Sequence, residues 1–219
     1  WAIAMVTIVC SFVISTYADT TAFIWTIIRH PFARSMKNIY FPEKDLQDLQ
    51  DDFDSFLSHK TKTLYLSLNT PYKRNYLLEG RWGTGKTSLI HALASKYRKN
   101  IAIIPFNNKV NDSTLLTAIS NIPDNSMLVL EDIDCLFQER KKNDEHKNQI
   151  SFSSILNMLD GLASKEGLIT FMTTNYKTHL DEALIRPGRI DKIVHFDFAK
   201  KEQFSKMFYN FSGISKDKD

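Results

Sequence analysis

Gly80-Arg81-Trp82-Gly83-Thr84-Gly85-Lys86-Thr87 is the stretch on which the reading of this chain turns. Three of its residues are glycine, in a chain of 219 residues that holds only 7. The spacing is G-x-x-x-x-G-K-[ST], in which glycines let successive backbone N–H groups point inward at phosphate oxygens. The helix that follows adds the partial positive charge of its N-terminus. Lys86 would reach the β- and γ-phosphates of a nucleotide, and the Thr87 hydroxyl would coordinate Mg²⁺. The pattern carries weight only between a strand and a helix. The apolar run Asn75 to Leu78 before it and the helical pattern Lys86 to Tyr97 after it provide that setting.

Outward from the loop, strands and helices alternate. Apolar runs at Ile101 to Phe106, Met127 to Leu130, Leu168 to Thr173 and Lys192 to Phe198 read as strands. Between them, Ser113 to Ser120 reads as a short helix capped by Asp112. Ile150, Ile155, Leu156 and Leu159 mark another, which Gly161 ends. Upstream, Leu46, Leu49, Phe53, Phe56 and Leu57 form one apolar stripe on an acidic helix. Strands apolar on both faces and separated by helices predict an α/β fold with a parallel sheet flanked by helices. Ligands of such sheets bind beyond the carboxyl ends of the strands. There the strand Met127 to Leu130 runs into Glu131-Asp132, about 45 residues after the loop, placing carboxylates beside the phosphates.

Composition removes other classes. With 43% hydrophobic and 24% charged residues, the chain is neither collagen-like nor wholly disordered. A net charge of +3, from 28 basic and 25 acidic residues, gives no reason to expect nucleic acid as a partner. Cys10 and Cys135 form no C-x-x-C pair, which favours a reducing compartment, and the six histidines show no H-E-x-x-H spacing, so no protein-held zinc is expected. Residues 1–37 form an apolar N-terminal segment set apart from 38–219. Trp1 to Ala18 carries no charge and reads either as a membrane helix or as a buried element of an upstream domain, while residues 22–28, AFIWTII, read as a strand. The mixed-charge segment 138–149, QERKKNDEHKNQ, reads as a solvated loop or as a lining of a central opening.

The loop, LEDID at 130–134, TTN at 173–175 and RPGR at 186–189, in that order, resemble the signature of AAA ATPases. PYKRNYLLEG (71–80), SILNMLDGLAS (154–164) and LIRPGRID (184–191) narrow the resemblance to the Bcs-type mitochondrial chaperones, over roughly residues 38–211. What the resemblance implies is a P-loop NTPase of the AAA kind that binds and hydrolyses ATP with Mg²⁺. It would act as a homo-oligomeric ring that remodels, assembles or translocates a protein client. In this branch the client is a Rieske iron-sulfur protein and the place the mitochondrial inner membrane. Gly80, Arg81, Trp82, Gly83, Thr84, Gly85, Lys86, Thr87 and Ser88 would hold the nucleotide. Glu131 would be the metal-side carboxylate with Thr87, Asp132 would position water, and Asn175 would sense the γ-phosphate. Arg186 and Arg189 would be arginine fingers acting on the neighbouring subunit. Charge spreads over the γ-phosphate oxygens during transfer, and an arginine supplied in trans contributes about 10³ to 10⁵ in rate. Pro187-Gly188 is also a strong turn dipeptide, so the same four residues taken alone read as a structural turn, and it is the preceding motifs that favour fingers.

Several positions depart from the family pattern. Arg81-Trp82 replaces the usual Pro-Pro, Glu131-Asp132 reverses the usual Asp-Glu, and residues 107–114, NNKVNDST, lack the aromatic pore loop of classical unfoldases. A truncated C-terminal lid is expected after Phe211. These departures motivate a second reading, a nucleotide-binding scaffold without turnover. A third, a nucleic-acid motor on the same core, has the charge balance against it.

Overall fold

The structure is a computed structural model that describes residues 26–28, 34–104, 111–135, 150–161 and 165–212. Six strands form one sheet: β1 (Thr26–Ile28), β2 (Lys73–Gly80), β3 (Asn100–Ile104), β4 (Ser126–Leu130), β5 (Leu168–Thr174) and β6 (Lys192–Phe196), in the order β1-β3-β4-β5-β2-β6. The last five are parallel, while β1 runs antiparallel to β3 at the edge, with Ile27 opposite Ala102. The expected α/β fold with its parallel sheet is present. The apolar run 1–18, the segment 138–149 and residues 107–110 lie outside the described residues. Among the described residues no helix is long and apolar enough to cross a membrane.

Alternation along the strands divides the core. Tyr76 and Leu78 of β2, Met127 and Val129 of β4, and Ile169 and Phe171 of β5 face one side. There they meet Leu49, Phe53 and Phe56 of helix α1 (Glu43–Leu57) and Leu89, Ile90 and Leu93 of α3 (Lys86–Lys96). Leu77, Leu128, Leu130 and Met172 face the other side. They pack on Leu115 and Ile119 of α4 (Asp112–Ser120) and on Ile155, Met158 and Leu159 of α5 (Phe152–Asp160). Phe53 lies among the rings of Tyr97, Tyr76 and Phe171, with centroids 4.5, 5.7 and 6.1 Å away. Truncating such a fully buried aromatic costs about 3–5 kcal/mol.

Local chemistry sets the helix ends. The cap of α4 is Asn111 rather than Asp112: its side chain accepts from the Thr114 N–H at 2.9 Å, and the Thr114 hydroxyl accepts in return from the Asn111 N–H at 2.8 Å. Asp112 instead accepts from the Ser151 N–H at 2.6 Å, tying the start of α4 to the start of α5. Gly161 ends α5 in the left-handed conformation, as its position predicts. Two helices fall outside the sequence reading: α2 (His59–Ser67), which has no buried residue, and α6 (Lys201–Ser212), which follows β6. Gln203 and Asn210 anchor α6 on Tyr40, and Lys206 pairs with Glu43.

Candidate functional site

β4, β5 and β2 are neighbours, so their carboxyl ends bring Glu131, Asn175 and the loop after Gly80 together. The loop is possible because its glycines adopt positive φ: 144° at Gly80, 76° at Gly83 and 99° at Gly85. A side chain at Gly80 would collide with the carbonyl oxygen of Phe196 on β6, so the loop leaves the sheet where only glycine fits.

Lys86, the first residue of α3, is only 7% exposed. Its ammonium donates to the carbonyl oxygens of Gly80 at 2.5 Å and Arg81 at 2.9 Å, and to Asn175 Oδ1 at 2.9 Å. Burial lowers its pKa, and Asp132 and Asp134 act in the opposite direction. An ammonium only donates and a carboxylate only accepts, so Asn175 is oriented by its neighbours: its oxygen faces Lys86 and its Nδ2 donates to Asp132 Oδ1 at 2.9 Å. The Thr87 hydroxyl donates to Glu131 Oε1 at 3.0 Å. The two acids therefore face different partners. Glu131 stands at Thr87, and Asp132 stands at Asn175 and Lys86.

The backbone that aims these acids is unusual. Asp132 has φ +49°, and its N–H donates to the Thr173 hydroxyl at 2.9 Å, while the next N–H, of Ile133, donates to the Thr173 carbonyl at 3.0 Å. Asp134, 3% exposed, accepts from the Thr174 hydroxyl at 2.9 Å and from the Asn175 N–H at 3.3 Å. Thr173, Thr174 and Asp134 stand within the LEDID and TTN stretches, but their sequence alone assigns them no role. The available signal was the pairing of two parallel strands that end in Glu131-Asp132-Ile133-Asp134 and Thr173-Thr174-Asn175.

The remaining loop residues face outward. Trp82 is 70% exposed, with its ring 6.5 Å from that of Tyr176, which stacks on His179 at 4.9 Å. The Arg81 guanidinium sits 5.1 Å over the Phe198 ring, the Thr84 hydroxyl closes on the Arg81 carbonyl at 2.7 Å, and the Ser88 hydroxyl accepts from Arg34 at 2.6 Å.

Arg186 and Arg189 stand elsewhere. The 186–191 turn packs on the beginning of β2, where Lys73 donates to the Gly188 carbonyl at 2.8 Å and Asn75 Nδ2 to the Arg189 carbonyl at 2.7 Å. Asn75 and Gly80 are five strand residues apart, roughly 16 Å. Arg186 is exposed. Arg189 is held by Asp160 at 2.7 and 2.8 Å in a two-pronged ion pair, and by the Ala183 carbonyl at 2.8 Å.

The model of the ATPase family associated with various cellular activities (AAA) matches residues 76–198. The chain is 37% identical over 196 residues to the "probable mitochondrial chaperone bcs1" of Schizosaccharomyces pombe, covering 87% of this chain and 43% of the relative. It is 36% identical over 192 residues to "probable mitochondrial chaperone BCS1-A" of Dictyostelium discoideum (84% and 45%), and 34% over 195 residues to "mitochondrial chaperone BCS1" of Homo sapiens (85% and 46%). The chain thus spans less than half the length of these relatives.

Proposed function

The chain belongs to the AAA family of ATPases, on its Bcs-type branch, and from that premise we propose that it is the ATP-hydrolysing core of a ring-forming protein chaperone. The observation that carries this reading is the convergence of Lys86, Thr87, Glu131, Asp132 and Asn175 at the ends of three adjacent strands. In this proposal the loop 80–88 cradles the phosphates of ATP. Lys86 exchanges its carbonyl partners for phosphate oxygens, a substitution of one set of acceptors for another. Thr87 and Glu131, both oxygen donors and 3.0 Å apart, suit Mg²⁺, which is commonly bound by one or two carboxylates together with substrate phosphates. When bound, the ion neutralises charge on the β- and γ-oxygens. Asp132 orients and deprotonates the attacking water, while Asn175 reports the γ-phosphate to both Lys86 and Asp132. A neighbouring subunit supplies arginine from its 186–189 turn, which packs at the opposite end of β2 from its own loop. Hydrolysis then requires assembly.

The relatives' printed names give a mitochondrial chaperone, and the family resemblance read in the sequence adds the inner membrane and the client. The proposed place is the mitochondrion, at its inner membrane. The proposed client is a protein substrate of the Rieske iron-sulfur kind. The decisive experiment is phosphate release by the assembled full-length protein. Lys86→Ala should abolish ATP binding and turnover, and a variant that keeps turning over ATP would sink the proposal. Tight ATP binding by the wild type without any release would point instead to a scaffold.

A further inference from the structure

The two arginines of the 186–189 turn differ in what holds them. Arg189 spends Nε and Nη2 on the two oxygens of Asp160 and Nη1 on the Ala183 carbonyl. A two-pronged guanidinium–carboxylate pair is among the strongest hydrogen-bonded contacts a side chain makes. Delivery of Arg189 to another subunit would break all three bonds at once. Arg186, three residues earlier in the same turn, is exposed, and its carbonyl accepts from the N–H groups of Arg189 (3.1 Å) and Ile190 (3.3 Å).

Beneath the turn, its backbone is fixed point by point from β2. Lys73, buried at 9% exposure, donates to the Gly188 carbonyl and to the Leu159 carbonyl at the end of α5. Asn75 Nδ2 binds the Arg189 carbonyl at 2.7 Å and that of Leu159 at 3.3 Å. The Asn75 N–H donates to Asp191 Oδ2 at 2.7 Å, and the Asp191 N–H returns to the Asn75 carbonyl at 2.9 Å. The Leu159 carbonyl in α5's last turn and the turn backbone from Gly188 to Asp191 are therefore tied to one strand. The arrangement holds a backbone still and leaves one cation projecting from it.

We propose that Arg189 is a positioning residue, locked in its own subunit by Asp160 above Lys73 and Asn75, and that Arg186 alone is the cation presented to the neighbouring subunit's nucleotide. This rests on the reading of the chain as a ring ATPase with arginine supplied in trans. The test is steady-state phosphate release by the full-length protein, with kcat and KM separated and assembly followed by light scattering. Arg186→Ala should lower kcat by about 10³-fold or more with KM and assembly kept. Arg189→Ala and Asp160→Ala should each give a smaller loss of equal size, and the double variant should lose no more than either single one. Asp160→Asn, which keeps the side-chain shape but removes the charge that locks Arg189, should fall in the same direction. Turnover that is unchanged or faster in Asp160→Asn would overturn the assignment of Arg189. So would a further loss approaching 10³-fold when Arg189→Ala is added to Asp160→Ala, since Arg189 would then act without its lock. Those two results leave the trans arrangement standing. Full turnover in Arg186→Ala rings would overturn the assignment of Arg186, and full turnover in rings lacking both Arg186 and Arg189 would remove the trans reading itself.

Discussion

β2 ends in two places that look alike in composition and behave differently. At its carboxyl end a lysine, two acids and an amide meet beside the phosphate loop; at its amino end a lysine, an amide, two acids and an arginine meet at the 186–191 turn. At the loop, the Lys86 ammonium rests on backbone carbonyls and on a side-chain amide, acceptors that phosphate oxygens can replace. At the turn, the cations rest on the carbonyls of Leu159, Gly188 and Ala183 and on Asp160, partners that belong to the fold itself. A polar cluster whose bonds can be exchanged serves a ligand, and one whose bonds are spent on the fold's own groups serves geometry. That contrast can be tested by substitution.

The largest effect is expected at the loop, in activity. Glu131→Gln and Asp132→Asn should each reduce turnover by about 10² to 10³ with little change in melting temperature, as for removal of a single preorganised group. The Glu131 variant should also need more Mg²⁺ for half-maximal rate, which titration of phosphate release against Mg²⁺ would show. A melting temperature that falls in step with turnover would erase the contrast between the two ends.

The next effect is expected at the turn, in stability. Gly161 has φ +92°, and a Cβ there would lie 2.9 Å from the Pro71 side chain and 3.0 Å from Lys73 Cε. Gly161→Ala should destabilise by about 1–3 kcal/mol, read as a drop of several degrees in a thermal melt, while ATP affinity stays within a few fold. A variant that lost ATP binding but not stability would reverse the assignment of the two ends.

The smallest effect concerns acid. The hydrogen bond from Arg189 holds the Asp160 carboxyl below its ordinary pKa, with desolvation opposing it and the charges of Arg189 and Lys73 assisting. A carboxyl lowered on folding contributes stability that is fully present above its unfolded value, about 3.9, and is lost as pH falls through the lower folded value. Asp160→Asn should therefore lower stability at neutral pH and flatten the acid limb below about pH 4. An acid limb identical to wild type in chemical denaturation would show that the pair is not part of the fold's acid response.

The loop end was legible in the sequence because its chemistry is local: glycines, lysine and threonine at fixed spacing, followed by acids at a strand end. The inner strands β2, β4 and β5 were legible because burial on both faces leaves apolar runs, while β6 at the sheet's edge keeps Ile193 and His195 exposed and buries only alternate residues. The turn end was not, because its meaning lies in partners far apart along the chain. Asp160 and Arg189 are 29 residues apart and Lys73 and Gly188 are 115 apart, so RPGR alone could not show which arginine is held. Asp134 was missed for the same reason, since its partners Thr174 and Asn175 come from another strand. α2 was invisible because Leu64, Leu66 and Leu68 stay exposed and the helix has no buried stripe to mark a period. β1, by contrast, was legible: Thr26–Ile28 lies within residues 22–28, which read as a strand from their β-branched and aromatic content rather than from alternation.

The positive φ at Asp132 also bears on which residue can occupy that position. A left-handed backbone crowds Cβ against the following carbonyl, and aspartate and asparagine tolerate it far better than longer or branched residues. The acid nearest Lys86 and Asn175 is the short one, which this backbone accommodates readily, and the longer glutamate stands at the preceding position, where it spans to Thr87. The Glu131-Asp132 order thus suits the left-handed backbone at position 132. Exchanging the two residues would disturb the backbone before it altered any chemistry.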